Sequence, residues 1–238
     1  MKHPRLYQNT PLNINEELIL DADAAHHLIK VLRFPQGQTL TLFNGNGANY
    51  RAEVLQAQQE CIVQILDKID NPCESKLNLT LVQGIAKGEK MDFLIQKSVE
   101  LGVNKIIPIF TNHCVVRLTG DKLAKRHQHW QKIVISACEQ SGRSIVPEVV
   151  VPMQLNDFLQ QPIVNGFVLH HRCEKTLLDI ESVNDATLLI GPEGGFNAIE
   201  INQAIQAGCQ PLLLGTRVLR TETASLAAIA NMQMLWGS

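Results

Sequence analysis

The rhythm of apolar and polar positions along this chain changes once, near residue 72. Before it, short runs at 39–43, 50–55 and 61–69 alternate apolar with polar residues and are parted by turns such as Asn44, Gly45, Asn46 and Gly47. Period-two alternation broken by turn residues predicts an antiparallel meander, here closing into a small β-barrel. One stretch, 21–33, is instead helical in composition, with an acidic start and a stop at Pro35 and Gly37. Asn71, Pro72, Cys73, Glu74 and Ser75 interrupt the pattern and form the expected linker. Apolar runs then alternate with helical stretches. Strands are predicted at 77–85, 106–110, 145–151, 166–170, 187–190 and 211–214, and helices at 88–101, 121–140, 156–159, 197–208 and 224–236. Strands alternating with helices imply a largely parallel sheet, so the chain reads as a small β domain (1–72) followed by an α/β domain (73–238).

Two loops interrupt this second pattern in an unusual way. The run 187–190 empties into Gly191, Pro192, Glu193, Gly194 and Gly195, and a capping box of Asn197 with Glu200 then opens a helix. Glycines there let a ligand approach backbone N–H groups at a helix start, which suits an anion or a nucleoside. The spacing matches neither the dinucleotide nor the P-loop fingerprint. The run 211–214 breaks at Gly215 and enters a segment, 215–223, that holds Arg217, Arg220, Glu222 and three threonines between a buried strand and an apolar closing helix. Charges so placed are expensive unless paired or used, so this is either a functional loop or a clamp of Arg217 or Arg220 on Glu222. Both loops leave the same, carboxyl, edge of the sheet, where ligands of open α/β sheets bind.

Composition adds limits rather than answers. With 45% hydrophobic and 18% charged residues over 238, the chain is of ordinary globular type. No apolar run is long enough for a membrane helix and the first residues lead into no signal core, so a cytoplasmic protein is expected. The six cysteines are far apart with no CxxC, which predicts reduced thiols. The adjacent pairs His26, His27 and His170, His171 lack a third ligand at suitable spacing, so no metal is expected. A net charge of -2 conceals a basic span, 87–143, with ten Lys or Arg against five acids. Any polyanion would be held by that patch rather than by bulk charge.

The motifs then become specific. Lys87, Gly88, Glu89, Lys90, Met91 and Asp92, continuing through Gln96, Lys97, Glu100 and Gly102, resemble the opening helix of the RsmE family, SPOUT-superfamily methyltransferases of bacterial small-subunit ribosomal RNA. The segments 139–143, 190–196 and 214–224 (LGTRVLRTETA) resemble that family's other signatures in the same order, as do Arg5, Leu6 and Tyr7 and the segment 26–33. The likeness covers essentially the whole chain, with Thr216 standing where relatives often carry Pro.

The resemblance implies an α/β domain threaded as a trefoil knot, a PUA-like N-terminal barrel, a homodimer, and methylation of uridine N3 in 16S rRNA. It implies S-adenosylmethionine held by three loops, which here comprise Leu169 and His170; Gly191, Glu193, Gly194 and Gly195; and Leu214, Gly215, Val218, Leu219 and Arg220. Neutral uracil N3 carries a proton and is a poor nucleophile until that proton is lost. Arg220, Arg143 or both are expected to steady the uracil oxygens, with Glu139 or Glu222 taking the proton. Arg5, Tyr7, Arg33, Lys87 and Lys90 are the expected RNA contacts. The alternatives are a related enzyme acting on another base or a ribose 2'-hydroxyl, and a non-catalytic RNA-binding assembly factor.

Overall fold

The alternating first part of the chain pairs into a five-stranded sheet. Its strands are β1 (Arg5–Tyr7), β2 (Glu17–Ile19), β3 (Thr39–Phe43), β4 (Ala48–Ala57) and β5 (Cys61–Asp70), ordered β1-β3-β4-β5-β2. This computed structural model describes residues 4–58 and 60–237. As the alternation predicts, β3, β4 and β5 form an antiparallel meander. Two short strands lie outside that prediction: β1 joins β3 in parallel and β2 joins β5 antiparallel. Three residues carry too little pattern to be read alone. The sheet does not close on itself, since no pairing joins β1 to β2 among the described residues. A helix covers the core instead. Capped by Asp21, α1 (Ala22–His26) continues into a wider π turn, His27–Val31, and adds Ala24 and Leu28 to a core with Leu6, Leu42, Val54 and Val63.

The second part forms a seven-stranded, wholly parallel sheet. Its strands are β6 (Asn78–Gly84), β7 (Lys105–Phe110), β8 (Glu148–Val149), β9 (Met153–Gln154), β10 (Gly166–Leu169), β11 (Asp185–Ile190) and β12 (Gln210–Leu212). The order is β12-β10-β11-β6-β7-β8, with β9 also on β7. The expected strand at 145–151 shrinks to β8, because Pro147 and Pro152 bracket it and neither can donate to a ladder. The helices are α2 (Glu89–Glu100), α3 (Gly120–Ser141), α4 (Leu155–Leu159), α5 (Ala198–Gln206) and α6 (Thr221–Trp236). Leu79, Leu81, Leu188 and Leu189 are fully buried, as expected for strands covered on both faces. On one face α4 and α5 bring Phe158, Ile201 and Ala204 against Val82, Val168 and Leu189. On the other α2 packs against α6, and Trp236 meets Phe167 at 5.7 Å between ring centroids.

Packing divides the chain at Glu74/Ser75 rather than at 72/73 and returns Cys138–Val146, the end of α3 and the loop after it, to the first unit. There the buried Arg143 guanidinium pairs with Glu74 at 2.7 Å, and Asn71 donates to the Gly142 carbonyl at 2.8 Å. α6 begins three residues earlier than the apolar pattern suggests, at Thr221. Its Met234 is 80% exposed and its Leu235 43%, so the closing helix is buried on one side only.

Candidate functional site

Three loops leave β10, β11 and β12 at one edge of the parallel sheet, and together they bound a cavity of about 530 Å³. Leu169 and His170 come from the first loop; Gly191, Glu193, Gly194 and Gly195 from the second; Leu214, Gly215, Val218 and Leu219 from the third. Every residue expected to hold the cofactor lines this space except Arg220, which stands beside it, exposed, as the N-cap residue of α6. Strand order explains the convergence: β10 lies between β11 and β12, so three loops far apart in sequence leave the sheet side by side.

The middle loop is tightly built. A side chain on Gly191 would meet the Gly195 backbone at 2.7 Å, and one on Gly194 would meet the His113 side chain at 2.8 Å. Gly195 also adopts a φ of +66°, which favours glycine. The capping box of Asn197 and Glu200 closes in both directions at 2.8 Å and starts α5 where the sequence places it.

A buried carboxamide that the spacing of residues did not single out holds the turn from below. Gln83, on β6, donates to the Gly191 carbonyl (3.3 Å), the Gly84 carbonyl (2.9 Å) and the Thr221 hydroxyl (2.9 Å), and accepts from Ser225 (2.7 Å). Thr221 donates in turn to Gly191. A polar residue inside a run of fully buried apolar ones was the available signal.

Charge in and around the cavity is arranged asymmetrically. Burial, with His171 and Arg172 nearby, pushes the His170 imidazole below its usual range. Partial burial works against ionisation of Glu193, but the Lys87 N–H (3.0 Å) and the Lys90 ammonium (3.6 Å) hold its carboxyl below the usual range. Lys87 and Lys90 thus gather at this loop. Neither Arg217 nor Arg220 forms an ion pair with Glu222 among the described residues, so the clamp reading of this segment is not what the fold builds. Glu222 Oε2 is buried with no hydrogen-bond partner among them.

The remaining expected site residues belong to the first unit. Glu139 accepts from the Tyr7 N–H at 3.0 Å, and burial raises its carboxyl above the usual range despite that bond. Arg5 is half-buried, lies 5.1 Å from the Phe43 ring centroid and donates to Asn49, Ser144 and the Arg143 carbonyl. The Tyr7 ring packs on Phe43, and Arg33 is exposed at a φ of 48°. Arg143 is spent on Glu74 at least in part. All six cysteines are free, no group of three metal-type side chains gathers among the described residues, and no helix there is long and apolar enough to cross a membrane.

Comparison with known proteins bears on both units. The profile of an RNA methyltransferase domain matches residues 73–233, and that of an RNA methyltransferase PUA domain matches 20–66. The chain is 39% identical over 98% of its length to the ribosomal RNA small subunit methyltransferase E of Buchnera aphidicola from Schizaphis graminum, covering 97% of that protein. A crystal structure of the Neisseria gonorrhoeae ribosomal RNA small subunit methyltransferase E bound to S-adenosylmethionine is 40% identical, with a TM-score of 0.93 over 99% of this chain and 98% of that one. A Legionella pneumophila protein described as a methyltransferase, in complex with the same cofactor, is 38% identical with a TM-score of 0.96 over the full length of both chains.

The geometry carries two expected outcomes. Gln83→Leu removes the donors that hold Gly84 and Gly191 and is expected to cost about 1–3 kcal/mol, seen as a lower urea midpoint. Glu139 keeps its proton to higher pH in the native state than in the unfolded chain, so native Glu139 costs stability as pH rises through that window. Glu139→Gln is therefore expected to gain thermal stability relative to the parent as pH rises from 4 towards 7; a constant difference between the two melting curves would contradict this.

Proposed function

We propose, from the premise that this chain belongs to the ribosomal RNA small subunit methyltransferase E family, that it methylates N3 of one uridine in 16S rRNA within the small ribosomal subunit. Membership rests on whole-length identity to curated members and on the two matching domains. The chain is accordingly an S-adenosylmethionine-dependent RNA methyltransferase with an α/β catalytic domain and a PUA-like N-terminal domain. The observation that carries the reading is the cavity that the loops after β10, β11 and β12 bound together.

The residues present suit the cofactor. A volume of about 530 Å³ lies within the range of small-molecule sites, and the glycine backbone at Gly191 and Gly194 leaves no room for side chains of its own. Leu169, His170, Gly191, Gly194, Gly195, Leu214, Gly215, Val218 and Leu219 would hold it, with Glu193 bracing the loop through Lys87 and Lys90. S-adenosylmethionine, when bound, supplies a methyl group on a sulfonium, so transfer needs an aligned nucleophile and little else. The downward shift of the His170 imidazole in the wall would disfavour a further positive charge beside that sulfonium.

Arg220 is exposed beside the cavity with no ion pair among the described residues, and in this reading it steadies the uracil oxygens as N3 becomes anionic. Glu222, two residues on with an unpartnered carboxylate oxygen, takes the N3 proton. Glu139 and Arg143, in the first unit, are the alternative carboxylate and guanidinium. Arg5, Tyr7, Arg33, Lys87 and Lys90 serve RNA binding. The knotted threading of the domain and a cytoplasmic location accompany this proposal. So does a homodimer, supported by the apolar side that α6 leaves open at Met234 and Leu235.

Purified protein incubated with small subunits lacking the modification and with labelled cofactor should label one uridine, recovered as N3-methyluridine. A ribose methyl or another base would reassign the substrate, and cofactor binding without transfer would make the protein an assembly factor. Arg220→Ala is expected to lower turnover about a hundredfold or more while leaving cofactor affinity nearly unchanged. Glu222→Gln is expected to lower turnover about a hundredfold with cofactor affinity nearly unchanged, and Glu139→Gln to lower it little. The reverse ranking of the two variants would move the proton to Glu139.

A further inference from the structure

On the far side of the loop that carries Gly194, the same edge of the sheet opens into a second cavity of about 500 Å³. The loop after β7 supplies Thr111, Asn112 and Arg117; the end of β9 and the start of α4 supply Gln154 and Asn156; α5 supplies Gln203. None of its lining residues is among those the proposed function sets against the cofactor or the target base. Its lining is unlike that of the first cavity: four carboxamides converge, and none of their side chains forms a hydrogen bond among the described residues. Arg117 is exposed and makes no ion pair there. Thr111 is 9% exposed, and its buried hydroxyl has no partner among those residues. Of the two acids in the wall, Glu200 is spent on the N–H groups of Asn112 and Asn197, which leaves Asp157.

A shallow trough joins this cavity to the catalytic side. It shares Asn112, Cys114 and Arg117 with the second cavity and reaches Gly194, which also lines the first. His113 holds that point, its Nδ1 lying 2.9 Å from the Gly194 carbonyl oxygen. Val115, 70% exposed, presents an apolar surface on the trough.

We propose that this second cavity is the seat of a nucleotide flanking the target uridine, its phosphate on Arg117 and its base edge read by the carboxamides of Asn112, Gln154, Asn156 and Gln203. The inference rests on the methyltransferase reading above and adds to it a place where sequence next to the target is recognised. Carboxamides carry a donor and an acceptor side by side, the pattern that base edges complement, and Arg is suited to phosphate. Asp157 accepts from an exocyclic amino group or a ribose hydroxyl, the contact that separates RNA from DNA. A chain with its target base at the first cavity passes over Gly194 and stacks on Val115 before reaching the carboxamides.

The test uses full-length protein and undermodified small subunits. The double variant Asn156→Ala, Gln203→Ala is expected to raise KM for the subunit about tenfold, with kcat at saturating subunit and calorimetric cofactor affinity unchanged. Arg117→Ala should raise KM too and reduce the slope of log affinity against log salt by about one phosphate contact. Unchanged KM and salt slope with methylation intact would overturn the flanking site and leave the proposed function standing. A loss of cofactor affinity in the double variant would overturn it as well, assigning the cavity to cofactor binding. Failure of the parent protein to methylate subunits at all would remove the premise, and this site with it.

Discussion

The hydrogen bonding of the buried Gln83 carboxamide is the interaction on which the cavity edge of the parallel sheet depends. The carboxamide sits where no water reaches, so each of its donors and acceptors must be met by protein, and the partners available are the turn at Gly191 and the first turn of α6 at Thr221 and Ser225. Meeting them ties β6 to two chain segments that line the cavity after β10, β11 and β12. Gly84 completes the arrangement: a methyl there would stand 2.4 Å from the Pro192 ring, so the strand and the turn pack backbone to backbone. A turn packed backbone to backbone on a strand cannot be adjusted by rotamers, and its shape is only as good as the scaffold beneath it.

Around that rigid floor the charges divide by role. Glu193 is held between a backbone N–H and Lys90 and braces the loop. Arg220, the N-cap residue of α6, and Glu222, in its first turn, are by contrast left without partners among the described residues, at the cost of exposing one and partly desolvating the other. Groups arranged so are available to a substrate whose charge develops only during reaction.

The first unit solves a different problem. A five-stranded sheet of this size buries little, and much of its polar edge is satisfied by Cys138–Val146, which arrives from the other end of α3. The Arg143–Glu74 pair, with side chains 5% and 17% exposed, is costly to desolvate and costlier to break, so it pins that returning segment in one register.

Much of this could be read in advance. The change of period near residue 72, the capping box at Asn197 and Glu200, and the glycine loop are local facts, set by side-chain spacing and backbone sterics within a few residues, and the elements formed accordingly. The residues that line the cavity after β10, β11 and β12 were legible because three short signatures carry them. What the sequence by itself did not determine is what depends on distant segments meeting: the strand order that sets the loops after β10, β11 and β12 side by side, the return of Cys138–Val146 to the first unit, the assignment of Arg143 to Glu74, and the carboxamide cavity assembled from β7, β9, α4 and α5. Periodicity reports which face of an element is apolar and says nothing of which element will cover it; that choice belongs to the packing of the whole chain, because burial energy has no direction until the neighbours are in place.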